Sequence, residues 1–273
     1  MTHQENFSLV GQRALVIGGG SGIGRAIALG LACAGASVDV AGRREDSLEE
    51  TCALTRSQGV RSTPRPLDAT QLDALAALLN ALCSTTGVPD ILVNAQGVMC
   101  LKNAEDYDEA DYQRIMDTNV KSVWFSSTSF GAAMLERGSG CIISIASLAS
   151  FRGFARNGIY CMSKHSVRAL TETLASEWAA RGVRVNAIAP GFFMTDLNKD
   201  SMTSERKARA LSRIPAGRFG DVDERAGAAV YLASPAARYV TGVTLPVDGG
   251  FLATGMSEAL LPNLWAPRLI GIV

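Results

Sequence analysis

Histidine is nearly missing from this chain: His3 and His165 are the only two, and one of them stands at the terminus. A Ser-His-Asp hydrolase, which uses an internal histidine as its base, is therefore nearly excluded. The six cysteines, at positions 33, 52, 83, 100, 141 and 161, are scattered and form no Cys-x-x-Cys pair. That spacing argues against zinc and against a disulfide framework, so no metal is expected and a reducing, cytoplasmic setting is. Net charge is lacking as well. Lys plus Arg and Asp plus Glu number 26 each, which leaves no overall field to draw in nucleic acid or acidic lipid. No apolar stretch reaches about 18 uninterrupted residues, so no membrane span is expected. The first six residues are polar and carry no apolar signal core.

What remains is a composition of 47% hydrophobic and 19% charged residues over 273 positions, which suits one soluble globular domain with a large core. Short apolar runs at 14–17, 37–41, 90–93, 141–145, 184–188 and 244–247 alternate with longer segments of helical period. Leu75, Leu78, Leu79 and Leu82 recur at helical spacing, as do Val167, Leu170, Leu174 and Trp178. Runs apolar on both faces suit parallel strands covered by helices on each side. The pattern predicts α/β architecture: a single doubly wound, Rossmann-type parallel sheet with helices on both faces. Its core spans about 8–251. The block 192–213 is polar and charged and reads as a loop or lid with short helices; Lys199, Arg206, Lys207, Arg209 and Arg213 stand there with Asp200 and Glu205. The apolar extension at 252–273 contains Pro262 and Pro267, which rule out one long helix. It is expected to pack across a subunit boundary or on its own subunit.

The first strand runs into Ile17-Gly18-Gly19-Gly20-Ser21-Gly22-Ile23-Gly24. Glycines let a backbone turn sharply against a phosphate, and free N–H groups at the start of the next helix meet its charge. The spacing is a variant built on Gly18, Gly22 and Gly24. After the second strand comes Gly42-Arg43-Arg44, where an acidic residue would hold the ribose 2′-hydroxyl of NAD. A guanidinium binds a 2′-phosphate bidentately. NADP(H) is therefore the expected coenzyme, with NAD(H) the alternative. The competing reading of Arg43 and Arg44 is a solvated turn paired with Glu45 or Asp46.

Tyr160 and Lys164 are four residues apart and share one helix face. A nearby ammonium lowers a phenol's pKa, which would make Tyr160 a general acid/base. Ser147 follows the 141–145 strand at the carboxyl edge of the sheet, where it can hydrogen-bond a reacting oxygen.

These residues together resemble the short-chain dehydrogenase/reductase family over about residues 8–251. Ser147 stands thirteen residues before Tyr160, as the family's catalytic serine does. The resemblance implies that Asn119 anchors a proton-relay water, that Asp68 and Ala69 lie at the adenine, and that Asn94 and Ala95 floor the coenzyme. It also places Pro190, Gly191, Phe193 and Thr195 at the nicotinamide, and implies a homotetramer built around 107–135 and 160–180. Tyr239-Val240-Thr241-Gly242 and Val247-Asp248-Gly249-Gly250 match the family's C-terminal signature. Two departures stand out: Ile17 replaces the usual threonine, and Asn94-Ala95-Gln96-Gly97 replaces Asn-Asn-Ala-Gly. In the family these segments touch, so the pair reads as a compensated packing swap. In the implied mechanism Tyr160 moves the proton, Lys164 holds the nicotinamide ribose and Ser147 positions the substrate oxygen.

The segments 145–151, 214–220 and 248–254 resemble the gluconate 5-dehydrogenase and 2-deoxygluconate dehydrogenase branch. The implied reaction is hydride transfer between a secondary alcohol and a ketone on a sugar acid, polyol or similar small polar molecule. Arg152, Arg156 and Asn157 lie between Ser147 and Tyr160 and are candidate substrate contacts, either arginine pairing with a carboxylate or both facing solvent. The alternatives are a 3-oxoacyl thioester (acyl-carrier-protein) reductase and a non-catalytic cofactor-binding protein.

Overall fold

The computed structural model describes residues 5–193, 203–221 and 224–254. Seven strands form one parallel sheet: β1 (Arg13–Ile17), β2 (Ser37–Gly42), β3 (Ser62–Pro66), β4 (Ile91–Asn94), β5 (Gly140–Ile145), β6 (Val183–Pro190) and β7 (Thr244–Val247). Their order is β3-β2-β1-β4-β5-β6-β7, so the chain winds outward from β1 and then outward the other way from β4. The helices are α1 (Gly22–Cys33), α2 (Glu45–Arg56), α3 (Leu72–Thr85), α4 (Glu109–Met116), α5 (Ser122–Arg137), α6 (Gly158–Trp178), α7 (Ser204–Leu211) and α8 (Glu224–Ala233).

The side-chain alternation of a strand sorts the core into two layers. Val16, Val40, Val93 and Ile143 face one way and pack with Ile27, Leu31, Leu48, Ala229 and Leu232 of α1, α2 and α8. Leu15, Ile17, Leu92 and Ile142 face the other way and meet Leu75, Leu82, Phe130, Leu170, Leu174 and Trp178 of α3, α5 and α6. This is the doubly wound sheet expected from the sequence. Its switch point lies between β1 and β4, and the crevice beyond their carboxyl ends is where such sheets bind ligands.

β3 has no apolar run to announce it, because it is an edge strand that reads Ser-Thr-Pro-Arg-Pro. Val38 N–H donates to Arg61 O at 2.9 Å and Leu67 N–H to Gly42 O at 2.8 Å, so odd-numbered positions face β2. Alternation turns Ser62, Pro64 and Pro66 outward. At the opposite edge, Ala187 N–H donates to Val243 O and Gly191 N–H to Val247 O, both at 2.8 Å. Thr244 and Pro246 of β7 therefore point outward too.

α4 and α5 are joined by a single π turn, Asp117–Lys121. The expected short helix of the 192–213 block is α7. Thr195, Lys199 and Asp200 lie outside the described residues, as does the extension from 255 to 273 with its expected packing. Among the described residues no helix is long and apolar enough to cross a membrane. No group of three His, Cys, Asp or Glu among them could hold a metal ion.

Candidate active site

At the carboxyl end of β1 the backbone turns at Gly18, with φ +82°. A Cβ on Gly18 would stand 2.6 Å from the Gln96 nitrogen, and one on Gly24 would stand 2.1 Å from the Gly18 carbonyl oxygen. Only glycine lets this turn press against the 95–97 segment and against the start of α1. Ser21, at the N-cap of α1, makes no side-chain cap bond. Its hydroxyl instead accepts from Arg44 Nη2 at 3.2 Å. The first turn of α1 is thus left without a side-chain cap, and its N–H groups with the helix dipole favour an anion there.

Gly18, Gly20, Ser21, Gly22, Ile23, Gly24, Arg43, Arg44, Asp68, Ala69 and Ala95 all line one cavity of about 250 Å³. The cavity fits a dinucleotide: a glycine cradle in which a Cβ at position 18 or 24 would strike backbone, next to two exposed guanidinium groups. Among the described residues neither arginine pairs with Glu45 or Asp46. The Thr70 hydroxyl, which donates to Asp68, lowers the pKa of that carboxyl, and the charge of Arg43 adds to the effect.

Asn94 departs from expectation. Its Nδ2 donates to Ser127 Oγ at 2.9 Å and its Oδ1 accepts from Ser126 Oγ at 2.7 Å. Both ends of the amide are spent on fixing β4 to α5, and the residue does not line the cavity. Gln96 lines it instead and donates from Nε2 to Ser122 Oγ at 3.1 Å. The two altered segments do touch. Ile17 pairs in register with Asn94, and Gly18 lies against Gln96.

Ile23, Ala95, Gln96 and Gly97 also border a second cavity of about 180 Å³, which holds Ser147, Asn157, Tyr160, Lys164, Pro190, Gly191 and Phe193. Ser147 sits two residues past β5 and accepts Ala149 N–H at 3.2 Å. Tyr160 and Lys164 share a face of α6, with Lys164 Nζ 5.6 Å from the phenol ring centroid. Lys164 is buried and donates to Ile145 O at 2.7 Å. Desolvation of its ammonium lowers its pKa to about 8. Tyr160 corrects the sequence expectation. Burial pushes its phenol up, and the opposing hydrogen bond comes from Ser147, not from the Lys164 charge.

Asn119 is buried in the π turn. Its Oδ1 accepts Val98 N–H at 2.8 Å, and its Nδ2 donates to Val98 O at 2.9 Å and to Ser163 Oγ at 3.0 Å. It stands behind the cavity wall: a Cβ on Gly97 would lie 3.5 Å from its Oδ1 and 3.6 Å from Lys164 Nζ. Asn119 therefore fixes the floor beside Lys164 and does not itself line the cavity.

Of the three substrate candidates, only Asn157 borders the catalytic cavity. Arg152 and Arg156 line an adjoining groove with Arg209 and Arg213, and Phe154 is shared by both spaces. Arg156 has φ +63°, an uncommon conformation for a side-chain-bearing residue. Its carbonyl accepts from Lys102 N–H at 3.1 Å and Tyr107 O–H at 3.2 Å. No local pattern in the sequence announces the aromatic wall. Phe251 stacks on Phe154 at 6.2 Å and meets Phe192 edge-on at 5.3 Å between centroids. Arg225, fully buried, lies over the Phe193 ring at 4.3 Å. These residues come from distant segments and follow no local period.

Sheet, glycine turn and Ser-Tyr-Lys site define a nicotinamide-dependent oxidoreductase. Residues 18–252 match the family model described as enoyl-(acyl carrier protein) reductase. The chain is 43% identical to the 2-dehydro-3-deoxy-D-gluconate 5-dehydrogenase of Bacillus subtilis, over 90% of this chain and 97% of the relative. It is 38% identical to the gluconate 5-dehydrogenase of Gluconobacter oxydans, over 92% and 98%. A crystal structure of a Burkholderia cenocepacia gluconate 5-dehydrogenase in complex with NADP and tartrate matches with TM-score 0.90 at 33% identity, covering 93% of this chain and all of that one (100%). A 7α-hydroxysteroid dehydrogenase complexed with NADH matches with TM-score 0.88 at 34% identity, covering 92% and 98%. The chain belongs to the short-chain dehydrogenase/reductase family.

Proposed function

We propose that the protein interconverts a secondary alcohol and a ketone on a sugar acid, polyol or similar small polar molecule, with NADP(H) preferred over NAD(H). The observation that carries this reading is the convergence of Ser147, Tyr160 and Lys164 on a cavity that shares Ile23 and the 95–97 wall with the dinucleotide cavity. A bound nicotinamide accepts or supplies the hydride. The glycine turn and the N-terminus of α1 hold the pyrophosphate, Arg43 and Arg44 hold the 2′-phosphate, and Lys164 holds the nicotinamide ribose. Ser147 donates to the reacting oxygen while Tyr160 takes or returns its proton, so both hydroxyls stabilise the alkoxide charge where it develops. Asn119 keeps the 97–98 segment and Lys164 in place.

The dehydrogenases of gluconate and 2-dehydro-3-deoxy-D-gluconate among its relatives support the substrate class. The arginine-lined groove supports an acidic one, with Arg152 or Arg156 pairing to the carboxylate. Arg152→Ala and Arg156→Ala should raise KM for a sugar acid and leave a polyol unaffected. Equal kinetics on both in both variants would remove the arginines from that role. Exposed Tyr112, Trp124, Phe125 and Met162 on α4, α5 and α6 support self-association, read as a homotetramer and checked by light scattering. Six free thiols fit a reducing cytoplasm.

The deciding experiment is a fluorescence titration with NADPH and NADH. Tight NADPH and weak NADH binding is expected, with the NADPH preference lost in the Arg43→Ala/Arg44→Ala double variant. Equal affinities in the wild type would return the arginines to a surface turn.

A further inference from the structure

Asn157 occupies the N-cap of α6, where an asparagine side chain ordinarily accepts from the helix's free N–H groups. Here it makes no such bond. The residue is only 8% exposed, its Oδ1 is buried with no hydrogen-bond partner, and it borders the catalytic cavity one turn ahead of Tyr160. Its backbone is fixed on both sides: the N–H donates to Phe154 O at 3.2 Å and the carbonyl accepts Cys161 N–H at 2.9 Å. The amide is thus held in place and desolvated, yet its acceptor is unmet. Buried polar groups are almost always paired, and an exception at a cavity wall points to a ligand that completes it.

The chemistry of the missing partner follows from the amide. A buried Oδ1 requires a donor, which a carboxylate or a simple carbonyl does not provide. A hydroxyl both donates and accepts, so it satisfies the amide in either rotation. Residues three apart at a helix start are neighbours, so the amide and the Tyr160 phenol address adjacent parts of one small molecule. We propose that Asn157 is a specificity-determining residue that binds a hydroxyl on the carbon next to the reacting one. The substrate class is then a 2-hydroxyketone and its vicinal diol, as against an isolated ketone or a 3-oxoacyl chain. This inference rests on the oxidoreductase reading above and narrows it.

The test compares butane-2,3-diol with butan-2-ol as substrates of the NADP⁺-saturated enzyme, alongside a sugar acid and a polyol as controls. A site that hydrogen-bonds a substrate hydroxyl discriminates strongly against analogues lacking it, so the wild type should favour the diol by about 10²-fold or more in kcat/KM. In Asn157→Ala, kcat/KM for the diol should fall by roughly that factor, with butan-2-ol and NADPH affinity little changed. Asn157→Ser, which puts a hydroxyl acceptor in place of the amide, should recover part of the preference. A parallel fall on both alcohols would mean that Asn157 only supports the fold, and would overturn the proposal. So would an undiminished diol preference in Asn157→Ala, or a wild type that accepts the controls but not the diol. A wild type inert on every alcohol, with NADPH still bound, would overturn the oxidoreductase reading as well.

Discussion

Lys164 is a cation buried against a backbone carbonyl, and the cost shows in its acidity. In the unfolded chain its ammonium has the ordinary value of 10.5; folded, it releases the proton at about 8. Between those values the unfolded chain binds the proton that the folded chain has lost, so this residue's contribution to stability rises with pH. Below about pH 8 both states are charged and the burial penalty is felt in full. Tyr160, with its pKa raised, works in the opposite sense above its ordinary value of 10, which closes the window there. The coenzyme-free wild type should therefore gain stability relative to Lys164→Met between pH 8 and pH 10, by at most about 3 kcal/mol at ~1.4 kcal/mol per unit. Urea midpoints of both proteins at the two pH values check this, and a constant difference would contradict it. Tyr160→Phe should lower kcat by about 10²–10⁴ with NADPH affinity within a few-fold, because the part proposed for the phenol is proton transfer. The Tyr160–Lys164 pair is legible in the sequence because helical spacing alone puts both on one face. The direction of the Tyr160 shift is not, since it depends on burial that no local pattern reports. Nor does the identity of Asn94 reveal that its amide turns to Ser126 and Ser127.

At the scale of the element, α1 depends on glycine in its first turn. Gly24→Ala would drive a methyl group into the Gly18 carbonyl, where the Cβ position lies 2.1 Å away. Because the atoms it would strike are all backbone of the glycine turn, that turn must shift. The expected result is a loss of NADPH affinity of tenfold or more, with the far-ultraviolet circular dichroism of the folded protein retained. Unchanged affinity would show that the turn does not set the phosphate site. The strands β1, β2, β4, β5 and β6 are legible as apolar runs because they are buried on both faces. β3 is not, since an edge strand with prolines carries neither an apolar run nor alternation. The π turn holding Asn119 also leaves no mark in the composition of α4 and α5, because one extra residue in a turn shifts only the register.

At the scale of the whole molecule, the sheet places its chemistry by topology. The reversal between β1 and β4 opens the crevice, β5 and α6 bring Ser147, Tyr160 and Lys164 to its side, and Phe154 and Phe192 wall it, with Phe251 from a third part of the chain packed against both. The order of elements is readable from alternating periods. The aromatic wall is not, because its members meet only after the whole sheet has assembled.

The outward prolines at the two edges carry one more consequence. A strand arriving from another molecule would need donors from β3 at positions 64 and 66, or from β7 at position 246, and proline has no N–H to offer at any of them. Of the outward positions on these two edges only Ser62 and Thr244 keep an N–H, so a further strand would meet an interrupted ladder on either side of the seven. Restoring the donors with Pro64→Val, Pro66→Val and Pro246→Val should make the protein form open-ended aggregates on mild heating. Light scattering that stays flat in the triple variant would show that the edges are guarded by something other than the missing hydrogen atoms.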